Sequence, residues 1–104
     1  MIHRLLAAAL ASGALLALPA LAQGTDPNLG RNLAAACANC HGTNGVSVQG
    51  MPNLAGQQRT HLMQQMQDFK TGKRPATIMH QLAKGYTDEQ IDALAAYFSA
   101  QKAR

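Results

Sequence analysis

Cys37-Ala38-Asn39-Cys40-His41 holds both cysteines of the 104-residue chain and places a histidine directly behind the second. The spacing is C-x-x-C-H, the attachment pattern of a c-type haem. Two thiols about one helical turn apart can each add to a vinyl group on one haem edge. The next residue, His41, is then held against the iron as proximal ligand. Two other chemistries use a C-x-x-C pair. A thioredoxin-like redox pair sits at a strand-to-helix junction in a βαβ setting, and no such pattern is visible here. A four-ligand zinc site wants more cysteines, although the spare histidines keep it open.

A haem held by His41 needs a second axial ligand or an open site. Beyond residue 22 the candidates are Met51, Met63, Met66, Met79, His61 and His80. Met63, Met66 and His61 share an amphipathic stretch, where Met66 reads as core packing and His61 as a surface residue. Met51 follows His41 by only ten positions, close for a chain that must cross to the other haem face. Met79 lies 38 positions downstream, in an irregular stretch with room to swing under the porphyrin. His80 beside it offers an imidazole that would also bind iron. Spacing alone leaves both open.

The elements that must position these residues are helical. Asp26-Pro27 predicts a helix start, an N-cap acceptor followed by proline in the first turn. That helix would carry Leu29, Leu33 and Ala34 to Ala36 into the motif, and Gly42 would end it. Residues 42–57 are rich in Gly, Asn, Ser and Pro and read as a loop. Leu62, Met66 and Phe69 predict a second helix from about Gln58 to Lys70, with Gly72 as its stop. Residues 73–86 read as a mostly irregular connection with a turn of helix near Met79. Thr87-Asp88-Glu89-Gln90 is a capping box, and Ile91, Leu94, Ala95 and Phe98 then form one apolar stripe. The expected fold is all-α, with three main helices and two long loops. Loops this long need a job in a small domain, and wrapping a haem is such a job.

The N-terminus reads as a secretory signal. His3 and Arg4 precede an apolar run from Leu5 to Leu18, and Ala20-Leu21-Ala22 puts small residues at both positions that set cleavage. The run is short of the ~20 residues that span a bilayer. Residues 1–22 are therefore expected to be cleaved after Ala22. Residues 23–104 would remain as a single monohaem domain in the periplasm, with no stable membrane insertion. Both cysteines belong to the motif, so no disulfide is left to staple so small a core, and a tethered apolar plate would substitute. Loss of Arg4 lowers the formal charge from +4 to +3. Such mild charge, with 4% aromatics, excludes a nucleic-acid reading but suits an acidic protein partner. Lys70, Lys73, Arg74 and Lys84 are the basic residues expected near an exposed haem edge. Nothing supplies distal acid–base machinery, so a haem enzyme or gas sensor is disfavoured.

Over essentially the whole mature chain these residues resemble class I cytochromes c. Gly30 and Tyr97 fit the glycine and aromatic at which that family's first and last helices cross. Pro52-Asn53-Leu54-Ala55-Gly56-Gln57 resembles the P-x-L-A-G-Q segment of small bacterial c553 and c4-type cytochromes. The resemblance implies that the Pro52 carbonyl turns to His41. Ile78-Met79-His80-Gln81-Leu82-Ala83-Lys84-Gly85-Tyr86-Thr87 is similar to a segment in the cytochrome subunit of flavocytochrome c sulfide dehydrogenase. There the methionine is the distal ligand, which moves Met79 ahead of its rivals. Some members of that subfamily carry two haem domains, whereas this chain has one motif. The resemblance implies one covalent haem c with His41 and Met79 on the iron, carrying one electron at a time without catalysis of its own. Its partner would be a flavoprotein subunit that oxidises sulfide, or other redox proteins met as a freely diffusing carrier.

Overall fold

The computed structural model of the protein describes residues 26–103, so the expected signal segment and its cleavage point lie outside the described residues. Asp26 Oδ1 accepts a hydrogen bond of 2.8 Å from the Asn28 backbone N–H and shapes the turn before α1 (Leu29–Ala34). Helix α2 (Ala38–His41) follows after three residues. A short 3-10 turn at Thr43–Gly45 comes next, then α3 (Arg59–Thr71), α4 (Met79–Lys84) and α5 (Asp88–Ser99).

Five helices, not three, therefore make up the described chain, and two physical effects account for the difference. The first helix does not run unbroken into the motif. The Cys37 N–H bonds the Ala34 carbonyl three residues back at 3.0 Å, and regular bonding resumes with His41 N–H on the Cys37 carbonyl at 2.9 Å. The backbone at Ala35 and Cys37 keeps right-handed dihedrals, so the ladder slips while the chain direction persists. A run of alanines offers no side-chain preference between the two ladders. Helix α4 arises differently. It has no side-chain cap at Ile78, but Ala83 is fully buried and the helix packs along α3. Tertiary packing, rather than propensity, makes a six-residue helix persist.

The last helix forms as its sequence demands. Thr87 Oγ1 accepts from the Gln90 N–H at 3.1 Å, and Gln90 Oε1 accepts from the Thr87 N–H at 2.9 Å. Ile91, Leu94, Ala95 and Phe98 are all buried. Helix α1 crosses α5 closely at Gly30, where a methyl group would run into the Ala93 carbonyl and stand 3.0 Å from Tyr97 Cβ. The main core cluster is Ala34, Leu62, Leu94, Ala95 and Phe98, drawn from α1, α3 and α5. The 42–57 loop is tied to this frame at two points. The Gly45 carbonyl accepts from Leu54 and Ala55 N–H at 2.9 and 3.1 Å, and Gly56 N–H donates to the Phe98 carbonyl at 2.9 Å.

Candidate functional site

A cavity of about 400 Å3 opens between these helices, and Cys37, Cys40, His41, Pro52 and Met79 all stand in its wall. Each reaches the wall from a different piece of local structure. Cys40 and His41 project from α2, which Gly42 ends with φ +82°, a left-handed backbone that suits glycine. A side chain at Gly42 would also collide with the Val46 carbonyl. Pro52 comes from the loop that doubles back beneath α2, and Met79 is the first residue of α4.

Among the described residues His41 is the one buried polar side chain. Its Nδ1 stands 2.7 Å from the Pro52 carbonyl oxygen, and a carbonyl only accepts, so Nδ1 carries the proton. The lone pair is then on Nε2, the nitrogen left for coordination. Burial pushes the Cys37 thiol above its ordinary range, against a smaller lowering by a backbone hydrogen bond. Reactive redox cysteines need a depressed pKa, so Cys37 is not set up for thiol–disulfide exchange. Among the described residues no group of three or more His, Cys, Asp or Glu forms a metal-binding set. Burial, and less so the Cys37 charge, holds the Tyr86 phenol in the cavity wall above its usual range.

The other candidate ligands separate. Met51 and Met66 also line the cavity, so Met66 faces it rather than serving as plain core filler. Met63 packs on the core cluster, and His61 is exposed. His80 is absent from the cavity wall, and its Nδ1 is buried without a hydrogen-bond partner among the described residues. Of the basic residues expected at the edge, Lys70 Nζ donates to the Tyr86 carbonyl at 2.6 Å and stands 3.7 Å from Asp88. Lys73 and Lys84 are exposed away from the wall, and only Arg74 belongs to it.

The wall suits a haem. It pairs two thiols one turn apart with an imidazole of fixed tautomer and a thioether, and surrounds them with Leu54, Leu62, Phe69, Ile91, Leu94 and Phe98. A cavity of this size and apolarity lies in the usual range for a small-molecule or cofactor site. An all-α domain closed by its first and last helices around such a cavity is a class I c-type cytochrome. The family model for cytochrome c matches residues 28–102, and the chain belongs to that family, among its c4 and c-552 members. With one C-x-x-C-H motif, its cofactor is a single haem c.

The chain is 42% identical over 69 residues to the cytochrome subunit of sulfide dehydrogenase of Chlorobaculum tepidum, covering 66% of this chain and 63% of that one. It is 41% identical over 78 residues to cytochrome c4 of Pseudomonas aeruginosa, covering 74% and 39% respectively. The solved cytochrome c4 of Acidithiobacillus ferrooxidans superposes with a TM-score of 0.63 at 32% identity, covering 73% of this chain and 51% of that one. The chain thus spans less than two thirds of the length of these relatives. Among the described residues no helix is long and apolar enough to cross a membrane.

Proposed function

We propose that this chain carries single electrons between redox proteins, on a haem c bound through Cys37 and Cys40 with His41 and Met79 on the iron. The observation that carries this reading is the meeting of all four side chains in one apolar cavity, with His41 fixed by the Pro52 carbonyl. When bound, the haem supplies a one-electron ferric/ferrous couple. The Met79 thioether, a soft donor, favours the ferrous state and raises the reduction potential. The packed apolar wall excludes water and disfavours the net positive ferric form in the same direction. Two protein ligands leave small molecules no easy place on the metal, and family membership supports a carrier rather than a catalyst. A pyridine haemochrome spectrum, with colour retained on the protein in acidified acetone, tests the attachment. Colour passing into the solvent would refute it.

The finer reading is that the donor is a flavoprotein that oxidises sulfide, with this chain as its electron-accepting subunit in the periplasm after cleavage at Ala22. The similarity to a protein named as a sulfide dehydrogenase cytochrome subunit supports it. The similarity to cytochrome c4 favours a second reading, a freely diffusing carrier that relies on charge steering and a small, wet interface. Following haem reduction by sulfide, with and without the flavoprotein fraction of a periplasmic extract, separates the two. Fast reduction only with that fraction supports the subunit. Slow reduction with it, but fast reduction by another donor, supports the shuttle.

A further inference from the structure

Met79 opens α4, a helix of six residues that is too short to persist on its own and starts without a side-chain cap. Its far end is built differently. Only Gly85, Tyr86 and Thr87 separate α4 from α5. Gly85 N–H donates back to the Leu82 carbonyl at 3.1 Å and Tyr86 N–H to the Ala83 carbonyl at 3.2 Å, so this joint is an extension of α4. Lys70 reaches across from α3, and its Nζ donates to the Tyr86 carbonyl at 2.6 Å. We infer that Lys70 is a positioning residue for the distal ligand: by tying the α4–α5 joint to α3 it keeps Met79 on the iron, which rests on the Met79 reading given above.

Two contacts of Lys70 could serve this role, and burial separates them. Its Nζ also stands 3.7 Å from Asp88 Oδ1, but the Asp88 side chain is 83% exposed and already accepts from Gln67 Nε2 at 2.7 Å. Water screens that pair, so it contributes little. The bond to the Tyr86 carbonyl is partly buried and short, and the Lys70 side chain is only 29% exposed. A hydrogen bond from an ammonium to a shielded carbonyl is worth more than a neutral one, and its loss leaves that carbonyl without this donor. The geometry carries the effect to the iron. Tyr86 lines the same cavity as Met79, and α4 joins the two as a rod about 9 Å long. Ala83, fully buried where α4 packs along α3, is the one other firm hold on that rod. Freed at the joint, α4 can pivot about Ala83 and draw the thioether away. A neutral thioether is a soft donor that ferric iron holds less well than ferrous iron, so the ferric state should feel the loss first.

The test uses purified ferric holoprotein, after a pyridine haemochrome spectrum has established covalent haem. Imidazole is titrated in and followed by loss of the weak far-red absorption band of thioether-ligated ferric haem. Imidazole takes the sixth position only when Met79 leaves, so its apparent affinity reads the released fraction. Lys70→Met keeps the apolar stem but loses the donor, and should bind imidazole about tenfold more tightly. Lys70→Arg, which retains a charged donor, should return most of the way to the native affinity. Lys73→Met, an equal charge change away from the cavity wall, should leave it unchanged. Should Lys70→Met fail to mature, Lys70→Gln, shorter and uncharged, decides by the same titration. A merely structural role would lower the urea midpoint of the helical circular dichroism and leave imidazole affinity unmoved, which overturns the assignment. A tightening as large in Lys70→Arg or Lys73→Met as in Lys70→Met overturns it as well. Met79→Ala marks full release. No tightening there overturns the Met79 reading and this role with it, whereas tightening there without tightening in Lys70→Met overturns the role of Lys70 alone.

Discussion

The two sides of the cavity are built by opposite means. On the His41 side, backbone hydrogen bonds close over a short stretch of chain. Cys40 and His41 N–H share the Cys37 carbonyl, Gly42 N–H reaches Ala38, and the 42–57 loop returns Pro52 to the imidazole at 2.7 Å. On the Met79 side, residues 73–78 donate one backbone hydrogen bond, that of Arg74, and α4 starts without a side-chain cap. Ile78 and Leu82 beside Met79 are 56% and 49% exposed. The proposed proximal ligand is thus set by local bonding, whereas the proposed distal one depends on α4 packing against α3. In the proposed reading, covalent attachment falls on the side that is already ordered, and the Met79 ligand falls on the side that can yield.

Cys40→Ala tests the ordered side and should have the largest effect. A domain of this size has too small a core without its tethered plate, so the variant should lose its cooperative thermal melt. A native-like melt would show that the backbone bonds around His41 suffice by themselves. Met79→Ala tests the yielding side. Its fold should survive while its reduction potential falls and carbon monoxide binds the reduced protein. If Met51→Ala produces those changes instead, the distal ligand comes from the loop and the contrast collapses.

Gly30→Ala probes the α1–α5 crossing that both sides share. The added methyl meets backbone, so a loss of about 1–3 kcal/mol in denaturant unfolding is expected, with the potential little changed. Gly72→Ala should act least. Nothing lies within 4 Å of the added methyl, so only the φ of +79° opposes it, at about 1–2 kcal/mol. A larger loss there would mean that the turn before Arg74 also carries packing.

The parts legible in the sequence are those fixed by local chemistry. Helix α5 could be read from its capping box and apolar stripe, and the gathering of Cys37, Cys40 and His41 from a spacing that leaves little freedom. Gly42 and Gly72 marked the helix ends because a left-handed residue must stand there. What was not legible depends on distant contacts. Helix α4 was legible only as a turn near Met79: it is too short to show a period, and its burial at Ala83 exists only once α3 is beside it. The slip at Ala35 to Cys37 is invisible in a row of alanines. Met66, expected to pack in the core, faces the cavity instead, while Met63 packs on the core cluster, a distinction that exists only once the neighbouring helices are in place. The four basic residues looked alike in the sequence, but Lys70 is held by the Tyr86 carbonyl while Arg74 folds back over Phe69.

The close crossing at Gly30 also governs the order in which this chain can assemble. The partner of the first helix is the last one, with roughly sixty-five residues of intervening chain between Gly30 and Tyr97, so the contact carries a loop-closure entropy. A polypeptide that emerges N-terminus first presents Cys37 and Cys40 long before Phe98 exists to complete the core beside Cys37. The motif is therefore accessible on an open chain, and docking of α5 is the late, non-local event that shuts the molecule. Mutations that weaken α5 should accordingly slow closure more than they impair the chemistry of the cysteines.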